Sequence, residues 1–157
     1  MKVVEEKIDI YAPREKVWNY LVDQKRAEDW DPGVDHVEYL SDKRKGEGTK
    51  TLYRTKRVFG KELEFVMDIK KWKENDEIEF VDKLEDEVFG FKKIYGDWIL
   101  EKLDKGTEFT WEFGFVVDSL RKRFMWPLLK YGTSKTTREA IEGLKETVEE
   151  GEHDQEG

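Results

Sequence analysis

The sequence has no cysteine, which excludes a disulfide framework and thiolate chemistry. Its only amide side chains are Asn19, Asn75, Gln24 and Gln155. With abundant Lys and Glu, that scarcity of thermolabile residues suits a thermophilic source. The two histidines, His36 beside Val37 and His153 in the tail, stand alone, and no His, Asp or Glu set recurs at ligand spacing. No metal site and no cofactor is therefore expected. No glycine-rich phosphate loop is present, and neither Ser119 nor Ser134 sits in a nucleophile elbow. Nothing nominates a catalytic residue set. No apolar run approaches the roughly 20 residues of a membrane span, so no stable membrane insertion is expected. The opening Lys2-Val3-Val4-Glu5-Glu6-Lys7 is too charged for a signal peptide, and the expected location is cytoplasmic.

What is present is mixed charge around ordered apolar runs. Charged residues make up 42% of the 157 and hydrophobic ones 37%, yet aromatics reach 13% and the apolar residues fall in periodic runs, which indicates a folded chain rather than a disordered one. The net charge of −8 argues against a nucleic-acid role, since phosphate binding needs a basic footprint. Lys43-Arg44-Lys45 and Arg121-Lys122-Arg123 read as solvated charge at a turn and a helix start.

The length suits one domain, expected over residues 1–150 with a frayed polar tail at 151–157. A strand from Val3 to Tyr11 leads into a helix opened by Pro13, with Val17, Trp18 and Leu21 as its apolar stripe. A second short helix is expected over Asp23 to Asp31, ended by Pro32 and Gly33. Strands follow at Val34 to Leu40 and Thr49 to Phe59, joined through Gly46-Glu47-Gly48. The next strand shows the cleanest alternation, with Leu63, Phe65, Met67 and Ile69 against Glu62, Glu64, Asp68 and Lys70. Ile78, Phe80 and Leu84 mark a fifth strand, with Glu85 to Gly90 expected as a loop; the sixth runs from Lys92 to Leu103. The seventh carries Phe109, Trp111, Phe113 and Phe115 at every second position. From Ser119 to about Glu149 the period becomes helical, a span of roughly 45 Å, with Pro127 as a kink or a restart.

This order carries motifs that match a known pattern. They are Ile8-x-Ile10-x-Ala12-Pro13-x-Glu15-x-Val17-Trp18, Trp30-x-Pro32, Val37-Glu38, Gly46-x-Gly48, Gly96-x-Trp98-x-Leu100, Gly106-Thr107 and Ala140-x-x-Gly143-Leu144-Lys145. Together they resemble the START/SRPBCC helix-grip superfamily, the birch-pollen-allergen-like fold, and within it the polyketide cyclase/dehydrase and lipid-transport branch. The resemblance covers nearly the whole chain. It implies an α+β helix-grip fold: a curved seven-stranded antiparallel sheet around a long C-terminal helix, with two short helices after the first strand. It also implies a hydrophobic cavity between sheet and helix, and no universal catalytic set.

The residues themselves allow such a cavity. The inner face of the long helix reads as uneven: Gly132, Thr133, Thr136, Thr137 and Ala140, mostly small, lie between large Leu128, Leu129 and Tyr131 before them and Ile141, Leu144 and Val148 after. The facing strands offer Phe65, Met67, Phe80, Trp98, Trp111 and Phe113. Small against large fits a pocket of roughly 300–1,000 Å³ or an interdigitated, filled core. The three threonine hydroxyls either orient a ligand or bond back to their own helix. Strand parity turns Asp97 and Glu101 outward and leaves Asp82 as the best inward carboxylate, against a plainer reading as an edge group reaching solvent or a lysine. Tyr53 and Tyr95 would offer a phenol if turned inward. Trp30 reads first as a core anchor and second as a shield at one end of the cavity. Met125 and Trp126 read as a mobile gate or as ordinary packing.

Three functions follow, in this order. The first is binding or carriage of a hydrophobic small molecule, lipid-like or aromatic. The second is a cyclase/dehydrase-like enzyme using the same cavity, which needs a buried ionisable group. The third is a protein-interaction domain with a filled core and an unknown protein partner.

Overall fold

The computed structural model describes residues 1–58 and 60–156, with the side chains of 58 and 152–156 left aside. Phe59, the expected end of the third strand, and Gly157, the end of the expected tail, lie outside the described residues.

Seven strands form one antiparallel sheet: β1 Lys2–Ile10, β2 Val34–Tyr39, β3 Lys50–Val58, β4 Lys61–Lys73, β5 Glu77–Val88, β6 Phe91–Leu103 and β7 Gly106–Phe115. The spatial order is β1-β7-β6-β5-β4-β3-β2. β3 to β7 follow one another by short connections, β2 reaches β3 through residues 40–49, and β1 closes against β7. The chain between β1 and β2 must therefore pass from one edge of the sheet to the other. It does so through α1 Arg14–Val22, a 3₁₀ turn at Gln24–Arg26 and α2 Ala27–Trp30. The long helix α3, Leu120–Glu156, follows β7. This is the α+β helix-grip architecture.

Register shifts interrupt the β2/β3, β3/β4, β4/β5 and β5/β6 ladders. Each such irregularity bends its strand and raises the local twist, so the β2 to β6 half of the sheet curls. α3 packs most closely on β1, with further approaches to α2, α1 and β7. Val148, Leu144, Ile141 and Ala140 bury there with Ile10, Val17, Leu21 and Phe109. The curled half of the sheet is left to enclose space rather than to touch the helix.

Two of the matched motifs are close approaches. Gly143 of α3 lies where a Cβ would stand 2.0 Å from the Trp30 carbonyl oxygen and 3.3 Å from Pro32 Cδ. Gly96 of β6 lies under the Phe80 ring, where a Cβ would stand 2.1 Å from it. Thr107 donates its hydroxyl to the Ala12 carbonyl over 2.8 Å, tying the start of β7 to the β1–α1 corner.

Several boundaries differ from the sequence reading, and the expected helix over Asp23 to Asp31 divides into the 3₁₀ turn and α2. The expected loop Glu85 to Gly90 is strand as far as Val88, and the turn narrows to Phe89 and Gly90, both at positive φ (52° and 90°). A pair of left-handed residues matches the twist of a tight hairpin, so both strands run up to it. α3 continues to Glu156, past Glu149, and Pro127 lies inside it as one continuous element. Ser119 caps its start, accepting from the Lys122 amide over 3.2 Å. Among the described residues, no helix is long and apolar enough to cross a membrane.

On the convex face, Asp97 of β6 pairs across the sheet with Glu79 and Glu112. Burial and the neighbouring Glu77, Glu79 and Glu112 carboxylates push Asp97 up to about 7. A carboxyl raised in the folded state favours folding most below its unfolded value near 4, and that contribution is lost as pH rises toward 7. Asp97→Asn is expected to leave stability unchanged near pH 4. By pH 8 it should raise it by about 1 kcal/mol at most, because the site is half open to solvent. Urea denaturation at the two pH values checks this, and an equal effect at both would contradict it.

Candidate functional site

The cavity lies between the curled half of the sheet and the first half of α3, with a volume of about 180 Å³. It is smaller than the range expected from sequence, because aromatic rings fill much of the enclosed space. Phe80 and Trp98 meet edge to face with centroids 5.1 Å apart, as do Trp98 and Trp111 at 5.4 Å, while Trp111 and Phe113 lie tilted at 5.3 Å. Tyr53 stacks on Phe65 at 5.2 Å. Gly96 is what allows Phe80 to lie flat across the β6 backbone.

The structure brings together on the cavity wall the ten residues expected there, the large side chains of the sheet and the small ones of the helix. Phe65, Met67, Phe80, Trp98, Trp111 and Phe113 come from the sheet, and Thr133, Thr136, Thr137 and Ala140 from α3. The threonines divide. Thr136 is exposed and bonds back to the carbonyls of Gly132 (3.0 Å) and Thr133 (3.2 Å). Thr137 is buried, and its hydroxyl has no partner.

Buried polar groups in proteins are almost always hydrogen-bonded. Around this cavity five are not. Trp30 Nε1, Trp98 Nε1, Trp111 Nε1, Asp82 Oδ1 and Thr137 Oγ1 are all buried without a partner, and all five residues line the same space. Asp82 stands opposite Met67 and Ile94 in the sheet register, on the inward face. The plainer reading of Asp82, an edge group reaching solvent or a lysine, is overturned. Burial alone pushes its carboxyl well above the usual range, which favours the neutral, protonated form.

Two further ionisable groups reach the wall. Tyr53 faces inward and donates to Gln24 Oε1 over 2.9 Å. Burial, and next the Asp82 charge, push its phenol well up. Tyr95 points outward, 38% exposed. Asp31 also lines the cavity and accepts from the Gly33 amide over 2.9 Å. Burial pushes its carboxyl up to about 6. The sequence reading treated Asp31 only as a helix end; its signal was its place inside Trp30-x-Pro32. Trp30 fills both of its expected roles, buried in the main core and lining the cavity. Trp126 packs on Phe115 at 5.2 Å in a second cluster, which is the ordinary-packing reading. His36 is half-exposed between Glu28 and Glu38, away from the cavity wall.

A family model described as "Polyketide cyclase / dehydrase and lipid transport" matches residues 1–149. No curated protein sequence matches the chain. Solved structures share its fold at low identity. The TTHA0849 protein of Thermus thermophilus is 17% identical, covers 96% of this chain and 99% of its own, and superposes with a TM-score of 0.78. The Zhui aromatase/cyclase from Streptomyces sp. R1128 is also 17% identical, covering 94% and 93%, with a TM-score of 0.75. Ara h 8.0201 is 14% identical, covering 94% and 97%, with a TM-score of 0.69.

Proposed function

From a chain that belongs to the polyketide cyclase/dehydrase and lipid-transport family, we propose binding or carriage of a small hydrophobic molecule in the cavity between the sheet and α3. The observation that supports this most is that five residues carrying partnerless buried polar atoms all line one aromatic-walled space. Leaving such groups unpaired costs about 1–3 kcal/mol each; a ligand with a hydroxyl or carbonyl would satisfy some of them. A dry cavity of about 150 Å³ is enough for benzene, so 180 Å³ suits one or two aromatic rings better than a long acyl chain. The three indole N–H groups and a protonated Asp82 would donate, and Thr137 could donate or accept.

Acid–base chemistry in the same cavity is the second reading. Asp82 favours it, as a buried carboxyl with no ion pair among the described residues, and one structural relative is an aromatase/cyclase. The open space at the small-residue stretch of α3 supports ligand binding over the filled-core reading.

A thermal-shift titration with 2-naphthol tests the binding. The wild type is expected to gain melting temperature steadily with ligand concentration. Ala140→Trp, which fills the cavity from the helix side, is expected to fold and show no gain. An equal gain in both proteins would remove the ligand from this site.

A further inference from the structure

The first turns of α3 carry apolar residues on the side that faces away from the protein. Leu120 is 83% exposed, Phe124 84%, Leu128 47% and Tyr131 69%. At 3.6 residues per turn these four fall within about 80° of arc. Leu129, Thr133 and Thr137 face the cavity from the other side of the same turns. A helix that covers a core on one face is ordinarily polar on the other, so this exposed apolar stripe is not explained by the core that α3 covers.

The charge around the stripe is as unusual as its exposure. Between 119 and 138 stand Arg121, Lys122, Arg123, Lys130, Lys135 and Arg138, with no acidic residue, in a chain of net charge −8. Arg121 pairs with Glu87, Lys122 with Asp118 and Arg138 with Glu6. Arg123, Lys130 and Lys135 are exposed and, among the described residues, pair with no carboxylate. Lys135 continues the stripe, and Arg123 and Lys130 flank it.

We propose that this face of α3 docks peripherally on an anionic phospholipid bilayer, with Leu120, Phe124, Leu128 and Tyr131 entering the interface and Arg123, Lys130 and Lys135 meeting phosphates. Exposed aromatic and leucine side chains bordered by cations are what an interfacial helix requires. A second copy is the poorer occupant, because an isologous contact would set the same unpaired cations against each other. The docking is independent of what fills the cavity.

The test is flotation of the full chain with phosphatidylcholine vesicles, with and without phosphatidylglycerol. Expected is binding to the anionic vesicles only, weakening as salt rises. Phe124→Glu should reduce it by about tenfold or more at an unchanged melting temperature. Arg123→Glu with Lys130→Glu should reduce it similarly. Phe124→Ser supplies the same reading if the glutamate variant is unstable. Three outcomes would overturn the proposal: no binding to anionic vesicles, equal binding to both compositions, or a solution dimer that Phe124→Glu converts to monomer.

Discussion

Gly143→Ala is expected to destabilise the protein by about 1–3 kcal/mol, although alanine is the better helix former by about 1 kcal/mol. The two effects have opposite signs, so the sign of the measured change decides between them. Gly143 sits mid-helix, where propensity alone favours replacement. The added Cβ, however, would stand 2.0 Å from the Trp30 carbonyl oxygen. That oxygen is backbone at the end of α2, held against α3 by the buried Trp30 side chain. It cannot swing aside as the tip of a flexible side chain could. Gly151→Ala is the matched control, since its Cβ would meet only the Tyr20 hydroxyl. Each kcal/mol moves the melting temperature by roughly 2–4 °C at this length. Calorimetry of the two variants reads the answer, and a Gly143→Ala protein as stable as the wild type would mean that α2 and α3 are not in close contact. Because Trp30 and Asp31 line the cavity, the same substitution is expected to weaken ligand binding.

Asp82→Leu is expected to stabilise the unliganded protein and to abolish much of its binding. The carboxyl is buried on the inward face, with one oxygen unpartnered and no ion pair among the described residues. Replacing an unpaired buried polar group by an apolar one of similar size should gain about 1–3 kcal/mol. The gain should also depend on pH. A carboxyl raised in the folded state favours folding most below its unfolded value near 4, and this is lost as pH climbs toward the folded value. The advantage of the leucine variant therefore grows as pH rises. Some pH dependence should survive in it, owed to Asp97 and Asp31. Denaturant curves between pH 5 and 8 check the sign. A loss of stability at every pH would show that Asp82 has a partner holding it in place. On the ligand side, removing one hydrogen-bonding group from a dry pocket is expected to weaken 2-naphthol binding by roughly tenfold or more.

The sheet was legible in the sequence because its signal is local. Alternation at Leu63 to Lys70 and Phe109 to Phe115 is a two-residue pattern that each strand carries by itself, and it places Phe65, Met67, Trp111 and Phe113 inward without knowledge of their neighbours. Thr137 and Ala140 follow in the same way from the helical period. What was not legible depends on residues far apart in the chain. The cavity volume is set by bulges in four ladders and by how far Phe80 and Trp98 lean over it. The raised carboxyl of Asp97 needs Glu79 from β5 and Glu112 from β7 brought alongside. Asp31 reaches the wall only because the α2–β2 junction is clamped against Gly143. The turn at Phe89 and Gly90 was masked by the charged run Glu85 to Glu87, which reads as loop but lies on strand. Leu128 and Tyr131, expected with Leu129 on the inner face of the long helix, lie instead on the exposed stripe with Leu120 and Phe124, since periodicity does not say which apolar face the protein covers.

The central claim is that the space between sheet and helix is a binding site for a small ring-bearing molecule held by otherwise unpaired polar groups. A crystal of the protein soaked with 2-naphthol tests it most directly. The account predicts the rings between Trp98, Trp111 and Ala140, with the hydroxyl within hydrogen-bonding distance of Asp82 or Thr137. A vacant cavity with these side chains closed on one another, under soaking that places the compound elsewhere on the molecule, would contradict it.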